Sequence, residues 1–209
     1  MYNQQNTATM AKKKQIERVN FHKQFQLHKV CANDGLRPVM NYVFFHNGYA
    51  YATDAHVAVK AKLEDICNFP PEQIEMLEGY LLHRKHFELI LKANFVQVEK
   101  VIDKETGSET VQFRVFSDNN TSCFIPLIKE GEGFRYPNCD KAVFDKPVGN
   151  VPMAAVGLNY GLLGALKAAM GIQAILEMRF SGNGKQIDVT SSDVLGLDIR
   201  GIIMSILVE

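Results

Sequence analysis

The sequence predicts an α+β protein in which one unit, a short helix followed by strands joined at tight turns, occurs three times. Three observations predict it. Apolar residues recur at spacings of three and four over Phe21–Ala32, His83–Ala93 and Asn159–Met170. Each stretch precedes β-prone runs punctuated by Gly, Asn and Asp. The helix starts lie about 62 and then about 76 residues apart, as in a modular repeat. Short turns join antiparallel strands, which separates this pattern from a parallel βαβ sheet. With 209 residues and 46% hydrophobic content, the chain can bury a substantial core as one large or two small domains.

The first 20 residues are polar and contain Lys12-Lys13-Lys14, and residues 1–14 are expected to form a flexible basic arm. In the first helix stretch Phe21, Phe25, His28 and Ala32 share one face, and His22, Lys23, Gln26 and Lys29 fall on another. Asn20 suits the N-cap and Gly35 the helix end. Val39–Phe45, the turn His46-Asn47-Gly48 and Tyr49–Leu63 then spell a hairpin, Asn-Gly being a strong short-range signal for one.

The second stretch has Phe87, Ile90 and Leu91 on its apolar face, with Arg84, Glu88 and Lys92 at i, i+4 spacing opposite. Strands are expected at Phe95–Ile102, Val111–Ser117 and Cys123–Ile128, with turns at Asp103–Gly107 and Asp118–Asn120. Gly131, Gly133 and Pro137 mark a boundary near residue 140. The third unit comprises the helix Asn159–Met170, the strand Ile175–Ser181, a Gly-Asn-Gly turn, Gln186–Thr190 and a last strand Asp198–Val208.

No apolar run approaches the ~18 residues that a membrane-spanning helix needs, and no secretory signal pattern opens the chain. Cys31, Cys67, Cys123 and Cys139 are widely spaced without a C-x-x-C pair, which argues against a structural zinc site and fits reduced thiols in a cytoplasmic protein. Formal charge is zero overall, yet the three helix stretches carry Lys23, Lys29, Arg84, Lys85, Lys92 and Lys167 against the single acid Glu88. Positive charge concentrated on a repeated element suits a polyanion lying along that element. The residues alone leave two readings open: a DNA-facing surface, or an ordinary α+β protein with solvated basic helices.

No catalytic constellation stands out. Asp54 and His56 are i, i+2 on one strand face, and no Ser or Cys is placed to complete a triad, which leaves a small hydrolase as the weakest alternative. His83-x-x-His86 lacks the neighbouring ligands of a zinc site. Ser181-Gly182-Asn183-Gly184-Lys185 ends in Gln186 where a phosphate-binding loop needs Ser or Thr, so a hairpin turn explains it better.

Five segments, in order, resemble the bacterial DNA sliding clamps (the DNA polymerase III beta subunit). Tyr51–Lys60 (YATDAHVAVK) is similar to the family's A-T-D-G-H-R-L strand, and LLHRKHFELI to its P-R-K helix start. GEGFRYPNCDKAVF resembles the segment G-x-F-P-D-Y-x-x-V-x-P that closes the middle domain. VGLNYGLLGALKA resembles a later helix start, and GIIMSILVE the terminal I-M-P-M-R-L. Ala55, Val57 and Ala58 stand where the family has Gly, Arg and Leu, and His83, Phe144 and Ser205 where it has Pro.

The resemblance implies a DNA-clamp fold of repeated helix-plus-antiparallel-hairpin modules, three here. Residues 15–145 would correspond to a middle clamp domain and residues 146–209 to half of a last one. It implies a processivity factor of DNA replication, not an enzyme, with no catalytic residue, metal or cofactor. Its partners would be double-stranded DNA, contacted through the phosphate backbone by Lys23, Lys29, Arg84, Lys85, Lys92 and Lys167, and a peptide motif of a polymerase or loader. Thr53, His56, Val57, Phe144, Met204 and Ile206 would form the apolar pocket for that peptide. Ring closure would require a homo-oligomer, four chains if six domains are needed. The rival is a clamp-derived interaction module that does not encircle DNA.

Overall fold

The computed structural model describes residues 18–104, 106–117, 122–131, 133–146, 157–171, 176–180, 186–191 and 196–204. Two antiparallel sheets carry the fold. The larger begins with β1 (Tyr42–His46), β2 (Tyr49–Thr53) and β3 (Val57–Lys62), all rich in aromatic and β-branched residues or alanine. Asn47 and Gly48 at the β1–β2 turn have φ of 51° and 76°, the positive pair that a two-residue turn requires. The anticipated strand Tyr49–Leu63 is therefore two strands, broken by a second turn at Asp54–His56.

Short helices α1 (Leu63–Ile66) and α2 (Pro71–Met76) follow, then β4 (Tyr80–His83) and α3 (Arg84–Lys92). The ring Nδ1 of His83 accepts from the Lys85 amide and caps α3, while Phe87, Ile90 and Leu91 are buried, as the periodicity anticipated. β5 (Phe95–Ile102), β6 (Glu109–Phe116) and β7 (Ser122–Pro126) make the smaller sheet in sequential order. After β8 (Ile128–Lys129) comes one wide π-type turn, Asp140–Phe144, closed by the Asp145 amide on the Asp140 carbonyl at 2.9 Å. In α4 (Tyr160–Met170) the Asn159 side chain accepts from the Gly161 amide, and Gly171 ends the helix in the left-handed region at φ 65°. β9 (Leu176–Phe180), β10 (Gln186–Ser191) and β11 (Ile199–Met204) complete the described elements.

The larger sheet runs β8-β4-β1-β2-β3-β11-β10-β9. Antiparallel pairing of β11 with β3, Ile202 opposite Ala58, makes the last three strands an extension of the first hairpin. The two halves before residue 130 also exchange leading segments. β4, which precedes α3, pairs with β1, and Val19 forms a bridge to Val96 of β5 in the smaller sheet. Phe21 sits at this crossing, its ring 4.9 Å from those of Phe69 and Phe87 and 6.1 Å from Phe45 and Phe113.

Both faces of the larger sheet are covered. Val43, Phe45, Ala50, Ala52 and Val59 point to the main core beneath α3 and α4. Their neighbours Phe44, Tyr51, Ala58 and Ile202 point the other way, under Tyr136, Cys139 and Phe144. The period of two thus explains two cores from one set of strands.

The stretch Phe21–Ala32 is not an α-helix. It holds a single 3-10 turn, Leu27–Lys29, wedged between α3 and α4, with the Gln26 amide donating to the Ala168 carbonyl. The expected face is buried (Phe21, Phe25, His28 and Ala32), but so are Leu27, Val30 and Cys31. The buried positions thus spread beyond one amphipathic stripe, while His22, Lys23 and Lys29 stay exposed. The Gly-Asn-Gly turn lies outside the described residues, as do the residue 1–14 arm and the 118–120 turn.

Candidate functional site

Three segments far apart in sequence meet on the outer face of the larger sheet. The turn between β2 and β3 is built by Asp54, whose Oδ1 accepts from the amides of both His56 and Val57 at 2.8 and 2.9 Å. Thr53 Oγ1 donates to the Val57 carbonyl at 2.8 Å and accepts from the Ala55 amide at 3.0 Å. Ala55 is held at φ 75°, a left-handed conformation. The Met204 amide donates to the His56 carbonyl at 2.8 Å, joining the end of β11 to this turn.

Across from them, the π-type turn is fastened by Asp140. Its carboxylate takes the Tyr51 hydroxyl at 2.7 Å and the Lys60 ammonium at 2.8 Å. Lys60 also lies 4.5 Å from the centre of the Tyr49 ring. Between the two walls lies a cavity of about 200 Å³, its lining almost wholly apolar. Thr53, His56, Val57 and Met204 all border it, as do Ala58, Ile202 and Val143. Burial pushes the Cys139 thiol on its rim up to about 12, so it stays protonated and is a poor nucleophile.

Phe144 does not border this cavity. Its ring is buried against Tyr51, at 6.4 Å, and under the Arg200 guanidinium, at 5.7 Å. The wide turn aims Ala142 and Val143 at the cavity instead, an offset of one or two residues that the wide turn produces. Ile206 lies outside the described residues. Sequence reasoning missed Met40, Pro137 and Val143. The last two fall in the segment that carried the resemblance, whereas Met40 gave no signal.

Lys23, Lys29 and Lys92 line a second, shallower groove of about 220 Å³ between the 3-10 turn and α3. Lys92 pairs with Glu88 at 2.8 Å one turn back, while among the described residues Lys23 and Lys29 form no ion pair. Arg84 is half-buried and Lys85 exposed on the first turn of α3, and Lys167 is exposed on α4; none of these three borders the groove. His28 also borders it, although the sequence placed that residue on the core side. The ring is buried, and burial with the charge of Lys29 lowers it to about 4, so it is neutral at pH 7.

The acid–base pairing of Asp54 with His56 is absent: the Asp54 carboxylate faces backbone amides, and His56 is exposed. His83 and His86 lie edge to face at 5.7 Å, and among the described residues no three His, Cys, Asp or Glu side chains converge as metal ligands do. No helix among the described residues is long and apolar enough to cross a membrane. No protein-family model matches the chain, and no curated protein matches it.

Proposed function

We propose that the protein is a sliding clamp-like processivity factor that associates with duplex DNA without reading its sequence and docks a peptide of a polymerase or another replication protein. The three units of helix-like stretch and antiparallel strands are then clamp modules, one and a half domains in all. The observation that carries the reading is the meeting of Thr53, His56 and Val57 with Met204 around one apolar cavity. The same residues are the ones that the sequence resemblance implies for a peptide pocket. A cavity of this size accepts one or two aliphatic or aromatic anchors of an extended peptide.

The basic groove supports the second half of the proposal. Lysines on flexible stems give weak, sequence-independent phosphate contacts, which permit sliding where base-reading contacts would stall it. Processivity would come from an assembled ring, in which several copies of the chain surround the duplex. One observation favours a peptide-docking module that does not encircle DNA: α4 carries a single charged side chain, Lys167.

Titration of a fluorescent peptide bearing the anchors of a clamp-binding polymerase motif tests the pocket. Ala142 is exposed on its rim, so Ala142→Arg is expected to leave the fold intact and to weaken the peptide at least tenfold, about 1.4 kcal/mol. Equal binding by wild type and Ala142→Arg, or no binding by either, would remove the pocket from the proposal.

A further inference from the structure

The groove between the 3-10 turn and α3 contains one feature that surface lysines do not explain. His28 is 5% exposed, and its Nδ1 is buried with no hydrogen-bond partner. Buried polar atoms without partners are rare in native proteins. The ring lies beside Phe87, centroids 6.1 Å apart, and forms part of the groove wall with Lys23, Lys29 and Lys92 and one carboxylate, Glu88.

Among the described residues, the charges near it come from two elements. Lys29 is adjacent on its own segment, and Arg84, Glu88 and Lys92 come from α3. Glu88, the one acid among these described groups, is already held by Lys92. α4 packs on the far side of the segment and offers only exposed Lys167, and the nearest strands, β1 and β2, bring no charged side chain close to the ring. The groove therefore sets a neutral imidazole in net positive charge, with Lys92 paired to Glu88 and Lys23 and Lys29 in no ion pair among the described residues.

We propose that this groove is a phosphate-binding site whose anion draws a proton onto His28, so that the protein takes up a proton from solvent on binding. It rests on the reading of these lysines as phosphate contacts, but needs only a phosphate group, from nucleic acid or from a small anion. A phosphate seated among Lys23, Lys29 and Lys92 offsets the positive field at the ring, and the protonated imidazole adds positive charge to the groove wall. By linkage, whatever tightening protonation gives the anion, the anion returns to the proton. A histidine retained only for packing would show no such coupling.

The test is the titration of the His28 ring by NMR, assigned through bonds in the wild-type protein. It is recorded with chloride, with inorganic pyrophosphate and with a short DNA duplex at equal ionic strength. The midpoint near 4 in chloride is expected to rise by at least one pH unit with pyrophosphate and with duplex, a tenfold preference of the anion for the protonated form. Should the protein unfold before pH 4, calorimetry at pH 5.5 in two buffers reads the same quantity as protons taken up per anion bound. A midpoint that stays put, or zero proton uptake, while duplex binds overturns this inference and leaves the proposed function standing. A midpoint moved by pyrophosphate with no duplex binding upholds the site and overturns the proposed function. No binding and no movement with either anion overturns both.

Discussion

A side chain built on Gly201 of β11 would place its Cβ 2.5 Å from Leu166 Cδ1 on α4, and 2.8 Å from Met170 Sδ. The helix lies so close to the strand that only hydrogen fits, and this contact seats the third unit on the sheet begun by the first hairpin. Leu166 is fully buried and cannot swing to solvent. Gly201→Ala is therefore expected to destabilise the protein by roughly 1–3 kcal/mol through overpacking. Urea unfolding should show a lower midpoint with an unchanged slope. An unaltered midpoint would mean that α4 is not held against β11 as described.

The turn that precedes β3 holds a strained residue. Ala55 stands where the sliding-clamp resemblance has glycine, and it is held at φ 75°. Ala55→Gly relieves the left-handed strain and restores some freedom to the unfolded chain, effects of opposite sign. With a strain of about 1–2 kcal/mol against an entropy of about 0.4–1 kcal/mol, the variant is expected to be more stable by roughly 0.5–1 kcal/mol. Thermal unfolding at fixed pH checks it, and a lowered Tm would contradict it.

Much of the architecture was legible because local chemistry and tertiary packing agree. The Asn47-Gly48 turn, the three buried positions of α3 and the extent of α4 are each dictated within a few residues. Phe21–Ala32 was not legible as a 3-10 turn, because long-range bridges from Val19 to Val96 and from Phe21 to Cys67 stretch its leading end. β4 was missed for a different reason. Tyr80, Leu81 and Leu82 are all buried, since both faces of the sheet are covered, and a short apolar run without alternation resembles a helix start.

The candidate site divides the same way. The residues around Thr53 to Val57 were found because they lie in one contiguous segment. Phe144 was misplaced because a π-type turn shifts which side chain faces the cavity, and no sequence pattern announces such a turn. His28 was assigned to the core, which its burial supports, but the lysines that share its groove come from two elements whose packing only the structure shows.

Acid sensitivity follows from His28. The folded ring titrates near 4 and the ordinary value is 6.5, so between these values the unfolded chain binds a proton that the folded protein excludes. Its contribution to stability is complete above pH 6.5, declines as pH falls toward 4 and changes no further below that. Removing it is expected to flatten the stability profile across this window. Wild type should lose on the order of 2 kcal/mol more than His28→Leu between pH 6.5 and 4. Parallel profiles for the two proteins in urea titrations would show that the ring is not buried neutral.

The claim that the chain works as a DNA-encircling clamp is tested most directly on a nicked circular plasmid, with the same plasmid linearised as the comparison. The protein, loaded at low salt and then challenged with higher salt, is expected to remain on the circle and to run off the linear form within the same interval. Lys29→Glu with Lys92→Glu should reduce loading on both forms, since each lost lysine contact lowers the salt slope of binding by about 0.9. Equal dissociation from circular and linear DNA would contradict an encircling clamp.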